Sequence, residues 1–329
     1  MVSKEKERLY VFDFIRAIAV LLVLLGHFLC HHYDYESSST SWVKLHTLGV
    51  GMFFFISGYL IFLTLTKSNI INFLPQRYFR LVPSLAVSII VLGAVNYFFP
   101  SICTCVFSFK LLLQGLFFNG DFFQNMNVFG IDMWTLHTET RFYILAYIIY
   151  FFVVREKIDD QKALLLGYIV STGVILMTLV FLNTKYPGFH FSDPKWNILC
   201  IFYLFFGAFL FILHKKTINT AQCAILWITN TGLILTAKTL IFGISWNDAL
   251  KDDYLIGCAV CMGVIALEAW IPRLRSVSLI AFISYPLYLI HHPLIAHGGL
   301  VAIISIFLIA YLISEYIEHP MMRWAKHRF

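Results

Sequence analysis

The chain has 329 residues, of which 60% are hydrophobic and only 13% charged, with a formal net charge of +6 and a mean hydropathy of +0.79. Soluble domains carry about 25% charged residues, so this composition cannot cover a water-facing surface and excludes a soluble globular fold. The basic excess does not call for a nucleic-acid partner, because the way charge alternates along a membrane chain accounts for it.

In hydrocarbon every backbone amide must be satisfied within the chain, which leaves helices or closed barrels. The apolar runs are continuous rather than alternating, so an all-α polytopic membrane protein of about ten transmembrane helices is predicted, with the lipid bilayer as its solvent. The expected spans are 10–32, 46–66, 82–100, 133–154, 163–182, 197–214, 221–243, 253–271, 277–297 and 299–318. Met1–Arg8 is polar and the first apolar run is too long for a cleavable signal, so none is expected.

On one side of these spans lie 16 basic residues: Lys4, Lys6, Arg8, Lys67, Arg77, Arg80, Arg155, Lys157, Lys162, Lys215, Lys216, Arg273, Arg275, Arg323, Lys326 and Arg328. The other side has 5, namely Lys44, Lys110, Lys185, Lys195 and Lys251, while Arg16, Arg141 and Lys238 fall within spans. Cytoplasmic loops hold the excess, so both termini are expected in the cytoplasm. The seven cysteines are scattered, with Cys103 and Cys105 the one close pair and no CxxC, so they read as apolar filler. Neither a disulfide framework nor a metal is expected. Residues 101–132 include Phe107–Phe118, an apolar stretch of re-entrant or interfacial length. No internal repeat or linker divides the chain, so 1–329 is expected to form a single transmembrane domain.

An ionisable group at mid-bilayer costs a few kcal/mol or more, so each one is a functional hypothesis. The first span carries Asp13, Arg16 and His27. Arg16 and His27 are eleven positions apart, about three turns, so they share one face separated by roughly 16 Å along the axis. Asp13 lies one turn from Arg16 and can pair with it. The second span contains Gly51–Tyr59, where Ser57 and Gly58 permit close helix approach. Arg77-Tyr-Phe-Arg80-Leu-Val-Pro83 then places two cations, three residues apart, on one side of a helix entering the membrane. They serve either orientation or an anionic cofactor. The fourth span opens with Trp134, His137, Glu139 and Arg141; an aromatic belt explains Trp134 but not Glu139. The ninth carries Tyr288, His291 and His292. His27, Glu139 and His291 are therefore expected at similar depth on three helices.

Taken together, these motifs resemble those of the acyltransferase-3 family of integral membrane O-acyltransferases. Arg16 and His27 match its Arg-x10-His pair, Phe53–Tyr59 its Phe-Phe-x-x-Ser-Gly-Phe/Tyr segment, and Arg77–Pro83 its Arg-x-x-Arg-x-x-Pro segment. Trp134–Tyr143 is similar to Trp-Ser-Leu-x-x-Glu-x-x-Phe-Tyr, Ile283–His291 to Ile-Ser-Tyr-x-Leu-Tyr-Leu-x-His, and Glu318-His319-Pro320 to Glu-x-Pro. The matches run in family order; Thr135, Arg141 and Pro286 depart from the usual residues.

The resemblance implies transfer of an acyl group, most often acetyl, from cytoplasmic acyl-coenzyme A to a hydroxyl of a surface glycan or lipid-linked sugar. It implies a multi-pass protein of the cytoplasmic (inner) membrane of a bacterium. A fused SGNH domain, present in some members, is not expected here. On this reading Arg77, Arg80 and Arg16, with Ser57 nearby, would receive acetyl-CoA, and His27 would act as general base or as an acyl carrier. Glu139 would orient a histidine or bind sugar hydroxyls, Trp134 would stack on a sugar, and Arg141 or His291 would stabilise an oxyanion, with Asp13 on the acceptor side. The rival reading is a transporter or flippase for a glycan or small anion, which buried charges also suit. Inverted repeats and paired broken helices mark many transporters, and the sequence has neither.

Overall fold

The computed structural model describes residues 2–33, 43–67, 69–98, 127–128, 131–132, 134–156, 160–185, 194–295 and 300–329. The first half contains α1 (Val2–Tyr33), α2 (Leu45–Leu65), α3 (Ile70–Phe98), α4 (Trp134–Glu156), α5 (Asp160–Lys185), α6 (Pro194–Leu199) and α7 (Ile201–His214). There follow α8 (Thr220–Leu240), α9 (Trp246–Leu250), α10 (Asp253–Ala266), α11 (Arg275–Ile295), α12 (Leu300–Ile313) and α13 (His319–Arg328). Extended structure among the described residues is one two-residue antiparallel pairing, Asn127–Val128 with Ile131–Asp132. The stretch Phe107–Phe118 and the pair Cys103 and Cys105 lie outside the described residues. The five described cysteines, at 30, 200, 223, 258 and 261, are free thiols.

The chain is a polytopic all-α membrane protein. Among the described residues, 8 helical segments are long and apolar enough to cross a bilayer. The sequence predicts about ten, and the difference lies in two segments. The helix α10 has 14 residues, roughly 21 Å at 1.5 Å per residue, which is short of a hydrocarbon core of about 30 Å. The helix α4 has 23 residues but opens with Glu139 and Arg141, which lower its hydropathy.

Three boundaries also differ from expectation. Pro83 reads as the start of a span, yet α3 begins at Ile70 and contains both Pro75 and Pro83. Arg77 and Arg80, expected on a helix entering the membrane ahead of the span, lie in the same continuous helix as the span itself. The last span runs from Ala302 to Arg328, through a π-helical turn at Ser314–Glu318. Lys195, expected in a loop, is buried in α6 with its ammonium donating to Asn183 Oδ1 at 3.1 Å.

The segment Pro194–His214 is the most enclosed, with 94% of its window buried. Its sequence is apolar on every side, which suits a helix surrounded by others. It meets α2 backbone to backbone. A Cβ on Gly58 would collide with the Leu204 carbonyl oxygen, and one on Gly207 with that of Phe55. Such seams let dispersion act over the whole helix length, the main adhesive where lipid is as apolar as leucine.

One buried ion pair ties three helices together. Lys238 of α8 lies 2.7 Å from Asp252 Oδ2, and the Tyr203 hydroxyl of α7 donates to the same oxygen at 2.6 Å. The other oxygen of Asp252 accepts from the amides of Tyr254 and Leu255, capping α10. Removing one partner of such a pair strands a charge and costs about 3–5 kcal/mol. Asp252→Ala should therefore lower the melting temperature in detergent strongly. The double change Lys238→Met with Asp252→Ala should recover most of the loss, and equal melting of the single variant and wild type would refute the pair's role.

Candidate active site

Charge within these helices converges on one cavity, whose atom-free space of about 780 Å3 includes solvent at its open side. It is lined by Arg16 of α1, Phe53, Ser57 and Leu60 of α2, Arg77 and Arg80 of α3, Thr135 and Glu139 of α4, and Tyr285 and Tyr288 of α11. Five helices that are far apart in sequence each contribute polar or aromatic groups.

Glu139 is the hub. The Ser57 hydroxyl donates to its Oε1 at 2.9 Å, and Tyr143, one turn further along α4, donates to the same oxygen at 2.5 Å. Arg16, Arg77 and Arg80 all lie within its Coulombic reach. Three guanidinium groups and one carboxylate line the cavity, an arrangement that offers several charge-assisted donors to an anion. Arg16 also pairs with Asp13 at 3.1 Å, which the i,i+3 spacing allows.

Arg77 is held on three sides. Its guanidinium donates to the Leu60 carbonyl at 3.4 Å and to the Thr64 hydroxyl, and lies 5.4 Å from the ring centres of both Phe73 and Tyr143. Its Nε is buried with no hydrogen-bond partner among the described residues. Buried donors are nearly always satisfied, so this one marks a place for a ligand atom or water.

The far wall contains a proline within its helix. Pro286 lacks an amide hydrogen, so the Phe282 carbonyl loses its helical donor. The His319 ring stacks on the Phe282 ring, with ring centres 4.1 Å apart. The adjacent Glu318, on the π-helical turn, is buried and lies within Coulombic reach of Arg80 and Arg16. Across the cavity the Tyr285 hydroxyl donates to the Leu81 carbonyl at 2.9 Å.

A second constellation lies beyond Tyr288. Its hydroxyl shares a 2.9 Å hydrogen bond with Thr135 Oγ1, and its ring centre is 5.5 Å from that of His291. His291 Nδ1 lies 2.6 Å from the Tyr288 carbonyl, which requires the proton on Nδ1 and leaves the lone pair on Nε2. The His27 ring centre is 5.1 Å from His291, 4.7 Å from His292 and 4.8 Å from His46.

Of the residues singled out from the sequence, Arg16, Ser57, Arg77, Arg80 and Glu139 thus meet in one cavity, with Asp13 behind Arg16. His27 and His291 meet in the histidine group instead. Glu139 does not share their position, and its hydrogen-bond partners among the described residues are hydroxyls, with no histidine among them. Trp134 packs against Phe54 and Tyr254, with ring centres 6.0 and 6.3 Å away, and Arg141 is half-buried; neither lines the cavity. The sequence reading named Tyr288, Tyr285 and Glu318 within its motifs but gave them no role, and it missed His46. A buried acid near the end of an apolar helix was the available signal for Glu318. His46 gave none, because its position at a span boundary reads as interfacial.

The fold and this cavity define an integral membrane protein with an arginine-lined site among its helices. The family model for the acyltransferase-3 group, described as "Acyltransferase domain", matches residues 9–314, and the chain belongs to this family. It is 29% identical over 206 residues to the peptidoglycan O-acetyltransferase OatA of Listeria monocytogenes, covering 56% of this chain and 30% of that protein. It is 23% identical over 321 residues to the O-acetyltransferase OatA of Staphylococcus aureus, covering 86% of this chain and 50% of that protein. The chain thus spans half or less of the length of these relatives. No solved structure matches it.

Proposed function

We propose that this acyltransferase moves an acetyl or other short acyl group from cytoplasmic acyl-coenzyme A to a hydroxyl of a surface glycan or lipid-linked sugar. The cavity of Arg16, Arg77, Arg80 and Glu139 carries the proposal, because it offers three guanidinium groups to a polyanionic donor. The diphosphate of coenzyme A binds at Arg77 and Arg80, and the acyl-bearing arm extends past Tyr288 toward His27. That path runs along the roughly 16 Å of α1 between Arg16 and His27.

In this scheme His27 accepts the proton of the acceptor hydroxyl as that oxygen attacks the thioester carbonyl, and coenzyme A thiolate departs. His291, whose Nε2 carries a lone pair in the tautomer set by Tyr288, holds the His27 ring in place. Glu139 fixes Ser57 and Tyr143 and balances the arginines rather than handling the transferred proton. The transfer unit lies within residues 1–329, in a bacterial cytoplasmic membrane. Incubating purified protein with labelled acetyl-coenzyme A and a glycan acceptor should give thioester turnover with label in the glycan. Turnover should be abolished in His27→Ala at unchanged membrane abundance, and an active His27→Ala protein would sink the general-base role.

Replacing Arg77 and Arg80 with Lys keeps the charge but loses the planar fork. A lost charge-assisted hydrogen bond is worth about 1.5–3 kcal/mol, so KM for acyl-coenzyme A should rise roughly tenfold to a hundredfold. The acceptor's KM should hardly move. Donor kinetics within about twofold of wild type would assign these arginines to orientation alone.

Both termini lie in the cytoplasm in this scheme, which the alternation of basic residues supports. Lys216 and Lys251 are exposed in different connections. Single cysteines there, in a cysteine-free background, should react with impermeant reagents from the cytoplasm and from outside respectively. Labelling of both from one side would overturn the arrangement.

A further inference from the structure

The histidine group contains more imidazoles than a general base needs. His27 and His31 are four residues apart on α1, so they project from one face on successive turns. His292 approaches from α11, its ring centre 4.7 Å from His27 and 5.3 Å from His31. The ligating nitrogens of these three residues all lie within 4.8 Å of one another. His31 is exposed and the other two are half-buried, so the point where they converge is reachable from water.

A helical pair of histidines four apart, completed by a third residue from elsewhere, is the usual way proteins build a zinc site with one position left open. Three nitrogens bound tetrahedrally at about 2.0–2.1 Å from zinc stand about 3.3–3.4 Å apart. Closing from 4.8 Å to that spacing needs rotation of the exposed His31 ring and a small turn of His292, without moving either helix. An all-imidazole donor set suits zinc, copper or nickel and is a poor match for magnesium or calcium, which take oxygen ligands.

We propose that His27, His31 and His292 form a binding site for a zinc-type transition-metal dication, and that its occupancy switches off acyl transfer by engaging the ring nitrogen of His27. The binding half stands on the geometry alone and departs from the sequence expectation of no metal. The inhibitory half rests on the reading of His27 as the general base, because a nitrogen whose lone pair is donated to a metal cannot accept a proton. The site is thus a switch whose input is the metal concentration outside the bundle.

The test uses the purified full chain in detergent, stripped with a chelator and titrated with zinc chloride by calorimetry. Cobalt chloride in a parallel cuvette should develop the visible bands of a tetrahedral ion. One equivalent should bind to wild type and to His327→Ala, a control at an exposed histidine of α13. Affinity should fall at least about tenfold in His31→Ala and in His292→Ala. Without zinc these two variants should turn over like wild type, and with zinc they should resist an inhibition of wild type that a chelator reverses. Absence of zinc binding to wild type, or binding unchanged in both variants, overturns the site. Stoichiometric zinc binding with undiminished transfer upholds the site and refutes the base role of His27 instead. Because the titration needs no substrate, it reads out even if the protein proves to have another acceptor or donor.

Discussion

Hydrocarbon cannot hydrate a charge, and this constraint organises the molecule. Arg16, Arg77, Arg80, Glu139 and Glu318 all sit on helices whose other residues are overwhelmingly apolar. None of them could be held in lipid at tolerable cost alone. Their common solution is a shared cavity, where opposite charges face one another and water or a ligand can enter. Three guanidinium groups converge there on Glu139, with Asp13 on Arg16 and Glu318 behind the wall, and this convergence of donors makes the cavity receptive to a polyanion. Stability and function thus draw on the same groups, and a binding site arises where the fold would otherwise be least tolerable.

Placing those groups needs helices that approach closely and bend at chosen points. The Gly58–Gly207 contact brings α2 against the enclosed α7, which sets the position of Ser57 beside Glu139. Pro286 lies in α11 between Tyr285 and Tyr288, which line the cavity, and the His319 ring stacks on Phe282 one turn earlier. The π-helical turn at Ser314–Glu318 inserts an extra residue into the last span, a device frequent at functional sites. The remote pair Lys238–Asp252 does none of this chemistry but locks α7, α8 and α10 around the central helix.

Two constellations that share α1, α2 and α11 suggest a division of labour. The arginine cavity and the histidine group are joined by Tyr288, which lines the first and touches the second. One end receives charge and the other offers nitrogen lone pairs. Such a separation suits a reaction whose donor is anchored by phosphates at one point and reacts at another, and it leaves the reactive end open to a competing ligand.

Much was legible from the residues alone. Long apolar runs dictate helices because a backbone in lipid has no other way to satisfy its amides, and isolated charges within those runs identified Arg16, Glu139 and His27 as groups needing a reason. The spacing of Asp13 and Arg16 foretold their pairing, since helical period is a local property. The sequence was misleading where neighbours override local signals. Pro83 marks a helix start in isolation, yet α3 runs through it, with the Tyr285 hydroxyl of α11 donating to the Leu81 carbonyl beside it. A hydropathy pattern also does not fix where a helix ends, and the α-helix of α10 stops after 14 residues. Above all, periodicity places a residue on a face without saying what that face meets. That Glu139 answers to hydroxyls and arginines while His27 joins four other histidines depends on how α2, α4 and α11 rotate about α1. That rotation is set by the packing of side chains far apart in the chain, and only the tertiary structure decides it.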